Sequence, residues 1–226
     1  MAIPFLPYTV VGILHLLALF FGAETISTLT KPLLMPALLL AFLLTLPRRR
    51  GEVALLGSLA ILFGWLGDVS LLDAGAGFLI GLGFFLLGHL AYLVLFLRRM
   101  RLRRRPRWWA AVYLVWWVAL VGILAPHAGV LLAPLAVYGL ILGALAAWGS
   151  TCNRWIAVGS ASFLASDTLL GLDRFLPDFS VGQVDFLIML TYLAGQALMA
   201  WGIVQTAAVR PTVRPASLSG RRAPGR

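Results

Sequence analysis

Apolar residues fill long unbroken stretches of this chain, at about 4–23, 32–46, 53–72, 76–97, 108–126, 129–149, 155–172 and 183–208. Charged residues collect in the short segments between them. A helix rises about 1.5 Å per residue, so roughly 20 residues cross a hydrocarbon core about 30 Å thick. The pattern therefore predicts an all-α, polytopic membrane helix bundle of about eight transmembrane helices. The second run is short and opens on Pro32 and Pro36, which predicts that its helix extends backward past Lys31 or crosses a thinned region. Composition agrees: 61% of residues are hydrophobic and 12% charged, with a mean hydropathy of +0.96, against about 25% charged in a soluble domain.

Charge then orients the bundle. Arg48 to Arg50, the seven arginines of "RRMRLRRRPR" (98–107), Arg154, and Arg210, Arg214, Arg221, Arg222 and Arg226 all fall on one side if there are eight spans. The other side keeps Lys31 and Arg174 with Glu24, Asp73, Asp173, Asp178 and Asp185. Sixteen of the 18 basic residues share a face, which the positive-inside rule makes cytoplasmic, with both termini inside. The net charge of +10 thus speaks for topology and anionic membrane lipid rather than nucleic acid. Residues 1–209 read as the transmembrane helical domain, and the Pro-, Ser- and Arg-rich 210–226 as a disordered basic cytoplasmic tail. Cys152 is the one cysteine, which excludes an internal disulfide or a metal site built on Cys spacing. The first run has no basic n-region and no small-residue cleavage site, so it reads as a retained span. Richness in Ala, Gly, Leu and Arg suits a bacterial, GC-rich genome, and with it a multi-pass protein of the inner (plasma) membrane.

Two stretches break the apolar rule. "GWLGDVSLLD" (64–73) carries Asp68, and "FLASDTLLGLD" (163–173) carries Asp167. An Asp near the bilayer centre costs about 2.5–3.5 kcal/mol on insertion scales, so such a residue normally faces the bundle interior or a wet cavity. Both spans run from the inside out, and each Asp lies about five residues before its outer end, roughly 7 Å deep. Two carboxyl groups at equal depth, sharing one moist hollow, can hold a single proton between them, one donating and one accepting. The alternative is two separate carboxylates that serve stability. The matching "GDVSLLD" and "SDTLLGLD", followed by "FLIGLGFFLLGH" and "FLIMLTYLAGQ", suggest a parallel repeat of four plus four spans.

Other polar groups lie in the same runs. His89 and Tyr92 in "LLGHLAY" share a helix face at i, i+3. Lys31 in "LTKPLLMP" could hold a phosphate or merely snorkel at a helix start. Ser166, beside Asp167, could orient a carboxylate or water, or bond its own backbone. Tyr192 and Gln196 in "LTYLAGQ" bring a hydroxyl and an amide into the bundle, as site groups or as helix–helix contacts. His15, His127 and the tryptophans read as packing and interface residues. No G-x-S-x-G elbow, H-E-x-x-H or Gly-rich phosphate loop is present.

Taken together, "KPLLMP" (31–36), "GDVSLL" (67–72), "FLIGLGFFLLGHLAY" (78–92), "SASFLASDTLLGLDRF" (160–175) and "MLTYLAGQAL" (189–198) resemble the YhhN-like membrane proteins, the lysoplasmalogenase family. The blocks come in family order. Ser70 stands where an aliphatic residue is commoner, and the 98–107 loop is unusually arginine-rich. The resemblance implies a lysophospholipid substrate and hydrolysis of its vinyl ether to a fatty aldehyde and a glycerophospho-headgroup, with no cofactor or metal.

That reaction suits the carboxylates. A vinyl ether breaks by slow proton transfer to the carbon β to oxygen; water then attacks the α carbon of the oxocarbenium ion, and the hemiacetal collapses. One protonated acid and one carboxylate supply the roles, as they do in glycosidases. Asp68 and Asp167 are the catalytic candidates, with acid and base unassigned. His89 and Tyr92 would orient the pair or the leaving oxygen, and Lys31 would bind the phosphate, with Ser166, Tyr192 and Gln196 as further substrate-side groups. Rival readings are an intramembrane aspartyl protease, although "GWLGD" lacks the usual G-x-G-D block, and a proton-coupled lipid or solute transporter. A metal hydrolase built on Asp68, His89 and Asp167 is a further variant.

Overall fold

The computed structural model describes residues 3–72 and 77–209. Asp73 and the expected disordered tail, 210–226, lie outside the described residues. Eight α-helices follow one another: α1 (Leu6–Phe20), α2 (Glu24–Thr45), α3 (Glu52–Ser70), α4 (Gly77–Leu95), α5 (Val112–Ala128), α6 (Leu132–Gly149), α7 (Arg154–Phe175) and α8 (Val184–Val209). No strand occurs among the described residues. Among the described residues, seven stretches are long and apolar enough to cross a membrane, one of them being the 42-residue Trp108–Gly149. That stretch folds back on itself at Gly129, whose φ of +52° suits a residue without a Cβ, so it forms the hairpin of α5 and α6. The Trp117 indole donates to Ala136 O across it (2.8 Å).

This is a multi-pass membrane protein. Leu, Ile and Val side chains stand exposed along whole helix faces, as at Leu14, Leu40, Leu55, Val115 and Leu140; lipid, not water, is the solvent that makes such faces stable. The centre of the bundle is α8, where 61% of the apolar window is buried against 22–39% in the other stretches. Its close fit to α7 rests on absent side chains: a Cβ on Gly159 would lie 2.8 Å from Gly195 O, and one on Gly195 would lie 2.9 Å from Gly159 O. With the backbones this near, Ser162 donates to Thr191 O and Ser166 to Ile188 O, both at 2.9 Å. Asn153 caps α7, accepting from Ile156 N (3.0 Å) and donating to Gly202 O and Thr206 of α8.

The second helix does extend backward, through Lys31 to Glu24, and carries both prolines inside it. Pro36 has no N–H to give the carbonyl of Pro32 four residues earlier. The Trp65 indole of α3 donates to Pro32 O instead (2.9 Å), so a half-buried acceptor keeps a partner where water is scarce.

The basic loops share one end of the bundle. Arg98 and Arg99 both pair with Glu52 at the start of α3, and the amides of Leu102 and Arg103 donate to Thr151 O beside the start of α7. Phe5 meets Trp201, late in α8, edge to face at 5.6 Å, which brings the N-terminal residues to that end too. At the other end Arg174 lies over the Phe78 ring and Gln183 donates to Phe20 O.

Candidate active site

Asp68 is two residues from the end of α3, and Asp167 is eight from the end of α7. The expected common distance of about five is therefore not met: α7 carries on past its apolar run to Phe175, whereas α3 stops at Ser70. Both carboxyl groups nevertheless lie inside the bundle. Asp68 is 3% exposed, and the Asp167 side chain 9%.

Asp68 accepts from the Tyr192 hydroxyl of α8 at 2.8 Å. Gly64, one turn before Asp68 on the same face, leaves the room this needs; a Cβ there would lie 3.2 Å from Tyr192 Oη and 3.1 Å from Gln196 Nε2. Gln196 follows Tyr192 by one turn and accepts from the Tyr92 hydroxyl of α4 at 2.8 Å. Lys31, half-buried on α2, is near enough for its charge to act on Asp68 and on His15. The His15 ring pairs with Thr30 (2.8 Å).

Asp167 has a different set of partners. The Tyr138 hydroxyl of α6 donates to its Oδ2, and His89 Nε2 of α4 lies 3.9 Å from the same oxygen. The His89 ring packs edge-on against Phe163 (4.7 Å) and beside Tyr138 (5.2 Å). Phe163, one turn before Asp167, also meets Tyr192 at 5.2 Å, so this ring lies between the two carboxyl environments. The two aspartates are close enough for their charges to interact.

A cavity of about 50 Å³ opens beside Asp167, enclosed by α4, α5, α6, α7 and Leu71 after α3. A water molecule needs roughly 10–15 Å³ of such space, so several fit. Asp167 and Tyr138 supply the carboxyl and hydroxyl groups of its lining; the rest is leucine, aromatic and glycine. Asp68 is not part of this lining. It is held by Tyr192, whose ring meets that of the cavity-lining Phe85 edge to face at 6.1 Å. One shared hollow was expected for both carboxyl groups; the cavity is lined by one of them.

The remaining candidates divide accordingly. His89 and Tyr92 share a face of α4 but lie beside different groups, His89 near Asp167 without a hydrogen bond and Tyr92 bonded to Gln196. Ser166 turns to the α8 backbone instead of to Asp167. Among the described residues no three His, Cys, Asp or Glu side chains converge as a metal site, so Asp68, His89 and Asp167 do not form one ligand set. Two hydroxyls were not anticipated. Tyr8 donates to Leu193 O (2.7 Å), and Tyr138 touches Asp167 itself. Tyr138 is the sole phenol in α6, a run otherwise nearly without hydrogen-bonding side chains.

Comparison with known proteins matches residues 26–203 to the YhhN family. The chain belongs to the YhhN family. The matched segment takes in both aspartates, His89, Tyr138 and Tyr192. Two curated relatives, each named lysoplasmalogenase, from Mycobacterium bovis (strain ATCC BAA-935 / AF2122/97) and Mycobacterium tuberculosis (strain CDC 1551 / Oshkosh), are 35% identical over 107 residues. That alignment takes in 44% of this YhhN-family chain and 41% of each relative's own length. No solved structure matches it.

Proposed function

We propose that this YhhN-family protein is a membrane-embedded hydrolase that cleaves the vinyl ether of a lysoplasmalogen, or of a closely related lysolipid, to a fatty aldehyde and a glycerophospho-headgroup. The observation that carries the reading is Asp167, a carboxyl group held by Tyr138 in the wall of a small, otherwise apolar cavity inside a lipid-facing bundle. The name borne by the mycobacterial relatives supports the substrate class.

In this mechanism Asp167 touches the substrate. Its protonated carboxyl gives the proton to the carbon β to the ether oxygen, forming a C–H bond and leaving an oxocarbenium ion. The resulting carboxylate takes a proton from water as that water bonds to the α carbon. The hemiacetal then breaks its C–O bond, releasing glycerol hydroxyl and aldehyde, and Asp167 is again protonated. One water is consumed, and acid and base are the same group at successive steps. Asp68, held by Tyr192, stabilises the cation through its charge. His89 orients Asp167 or the leaving oxygen, and Tyr92 and Gln196 hold Tyr192 and α4 in register. Lys31 faces the phosphate. Ser166 acts only through helix packing.

The aldehyde released by purified wild-type, Asp167→Asn and Asp68→Asn proteins tests the scheme by mass spectrometry. Asp167→Asn abolishes release, and Asp68→Asn lowers it at least about tenfold; full activity of Asp167→Asn removes the mechanism. Peptide cleavage or solute uptake without lipid turnover would instead favour a protease or a transporter.

The same reading gives eight crossings, with the arginine-rich end, both termini and a disordered tail 210–226 on the cytoplasmic side of a bacterial plasma membrane. Cysteines introduced at Phe179 and at Arg104 check this. Only the first reacts with an impermeant thiol reagent added to intact cells.

A further inference from the structure

A second opening lies against the first. It is a groove of about 380 Å³ between α4 and α6, lined by Leu79, Leu82, Gly83 and Leu86 on one side and by Ala133, Pro134, Val137 and Tyr138 on the other. Leu82 and Tyr138 also line the Asp167 cavity, so the two spaces share a wall. Apart from the Tyr138 hydroxyl, already given to Asp167, no side chain of the groove offers a hydrogen bond or a charge. A headgroup finds nothing there; a hydrocarbon chain does. The groove lies on the lipid-facing flank, where Leu79 is 49% and Val137 55% exposed. It is kept open by a missing side chain, because a Cβ on Gly83 would meet nothing within 4 Å.

We propose that the groove between α4 and α6 is the hydrocarbon-chain site, through which the alkyl part of a lysolipid trails from the Asp167 cavity into the bilayer, with Leu82 and Tyr138 as its threshold. This rests on the function proposed above and adds a route to it. The vinyl ether is at the headgroup end of the chain, so seating it at Asp167 leaves the rest of the chain to pass Tyr138. The aldehyde product leaves into lipid along the same path.

The test fills the groove without disturbing the packing. Gly83→Phe places a ring in open space, and Gly122→Phe on α5, where a Cβ likewise meets nothing within 4 Å, is the control. Each is assayed with a long-chain lysoplasmalogen and with an analogue whose hydrocarbon ends just beyond the vinyl ether. For Gly83→Phe the long-chain to short-chain ratio of kcat/KM falls about tenfold or more; for Gly122→Phe it stays within about twofold. An unchanged ratio in Gly83→Phe overturns the proposal.

A binding arm separates this inference from the function. An ester lysolipid with a diazirine in mid-chain is photolysed with each protein. Adducts on 79–86 and 133–138 that disappear in Gly83→Phe support the groove even if the wild type releases no aldehyde, in which case the proposed reaction falls alone. Adducts on other helices, with aldehyde release intact, sink the groove and leave the reaction standing.

Discussion

His89 Nε2 lies 3.9 Å from Asp167 Oδ2, too far for a hydrogen bond, and neither ring nitrogen of this buried histidine has a partner among the described residues. A buried polar atom left unsatisfied costs about 1–3 kcal/mol, so the imidazole is a poor choice if packing were its whole task. Leucine has a similar volume and no polar atom. His89→Leu is therefore expected to keep or raise the thermal midpoint in detergent while lowering aldehyde release about a hundredfold. A variant as active as wild type would assign His89 to packing against Phe163 and Tyr138 alone.

Asp68 depends on α8. Tyr192→Phe keeps the ring against Phe85 and Phe163 but removes the hydroxyl that donates to the carboxyl group. Leaving Asp68 without this bond costs about 1–3 kcal/mol. The loss shrinks when Asp68→Leu is already present, because the hydroxyl then has no acceptor to serve. Thermal unfolding of the two single variants and the double variant measures the coupling. Strict additivity would mean that the bond contributes nothing to stability.

Gly159, Phe163 and Asp167 recur every four residues and form one stripe of α7. Alanine at Gly159 would set its Cβ 2.8 Å from Gly195 O and from Met199 N, and backbone atoms cannot swing aside. Gly159→Ala is expected to destabilise by about 1–3 kcal/mol and to cut activity, since α7 moves off α8 and carries Phe163 and Asp167 with it. Gly122→Ala, in open space, should be neutral or stabilising by up to about 1 kcal/mol. Comparing their melting midpoints and turnover checks both. Equal behaviour would mean that the α7–α8 contact tolerates separation.

The helices were legible because hydrophobicity is written residue by residue; runs such as 129–149 and 183–208 end within a few residues of α6 and α8. The start of α2 was harder, since Glu24 to Lys31 is polar and two prolines follow, and the partner that makes them tolerable is a tryptophan more than 30 positions away. The two aspartates stood out through their cost in lipid. His89 and Tyr192 stood out in the same way, as polar groups in apolar runs, but which aspartate each one faces did not, because pairing between helices leaves no spacing signature. Ser166 shows the opposite error. Adjacent residues on a helix point about 100° apart, so being next to Asp167 in sequence turned its hydroxyl to α8 while Asp167 faced α4 and α6. Tyr138 was missed because one phenol in an apolar run is usual, and nothing in the sequence marks its acceptor in α7.

The Trp65–Pro32 contact offers a test of how α2 survives its prolines. Trp65→Phe removes the indole N–H and strands Pro32 O in the bundle, at an expected cost of about 1–3 kcal/mol. Pro36→Ala supplies the missing backbone N–H to the same carbonyl. Pro36 faces outward, so this change disturbs little packing. In the Pro36→Ala background, Trp65→Phe should cost only what its lost ring area contributes, because the carbonyl is already satisfied along the helix. Melting midpoints of the wild type, both single variants and the double variant decide it. If Trp65→Phe costs the same in both backgrounds, the indole stabilises α2 and α3 by packing alone, and the carbonyl does not need it.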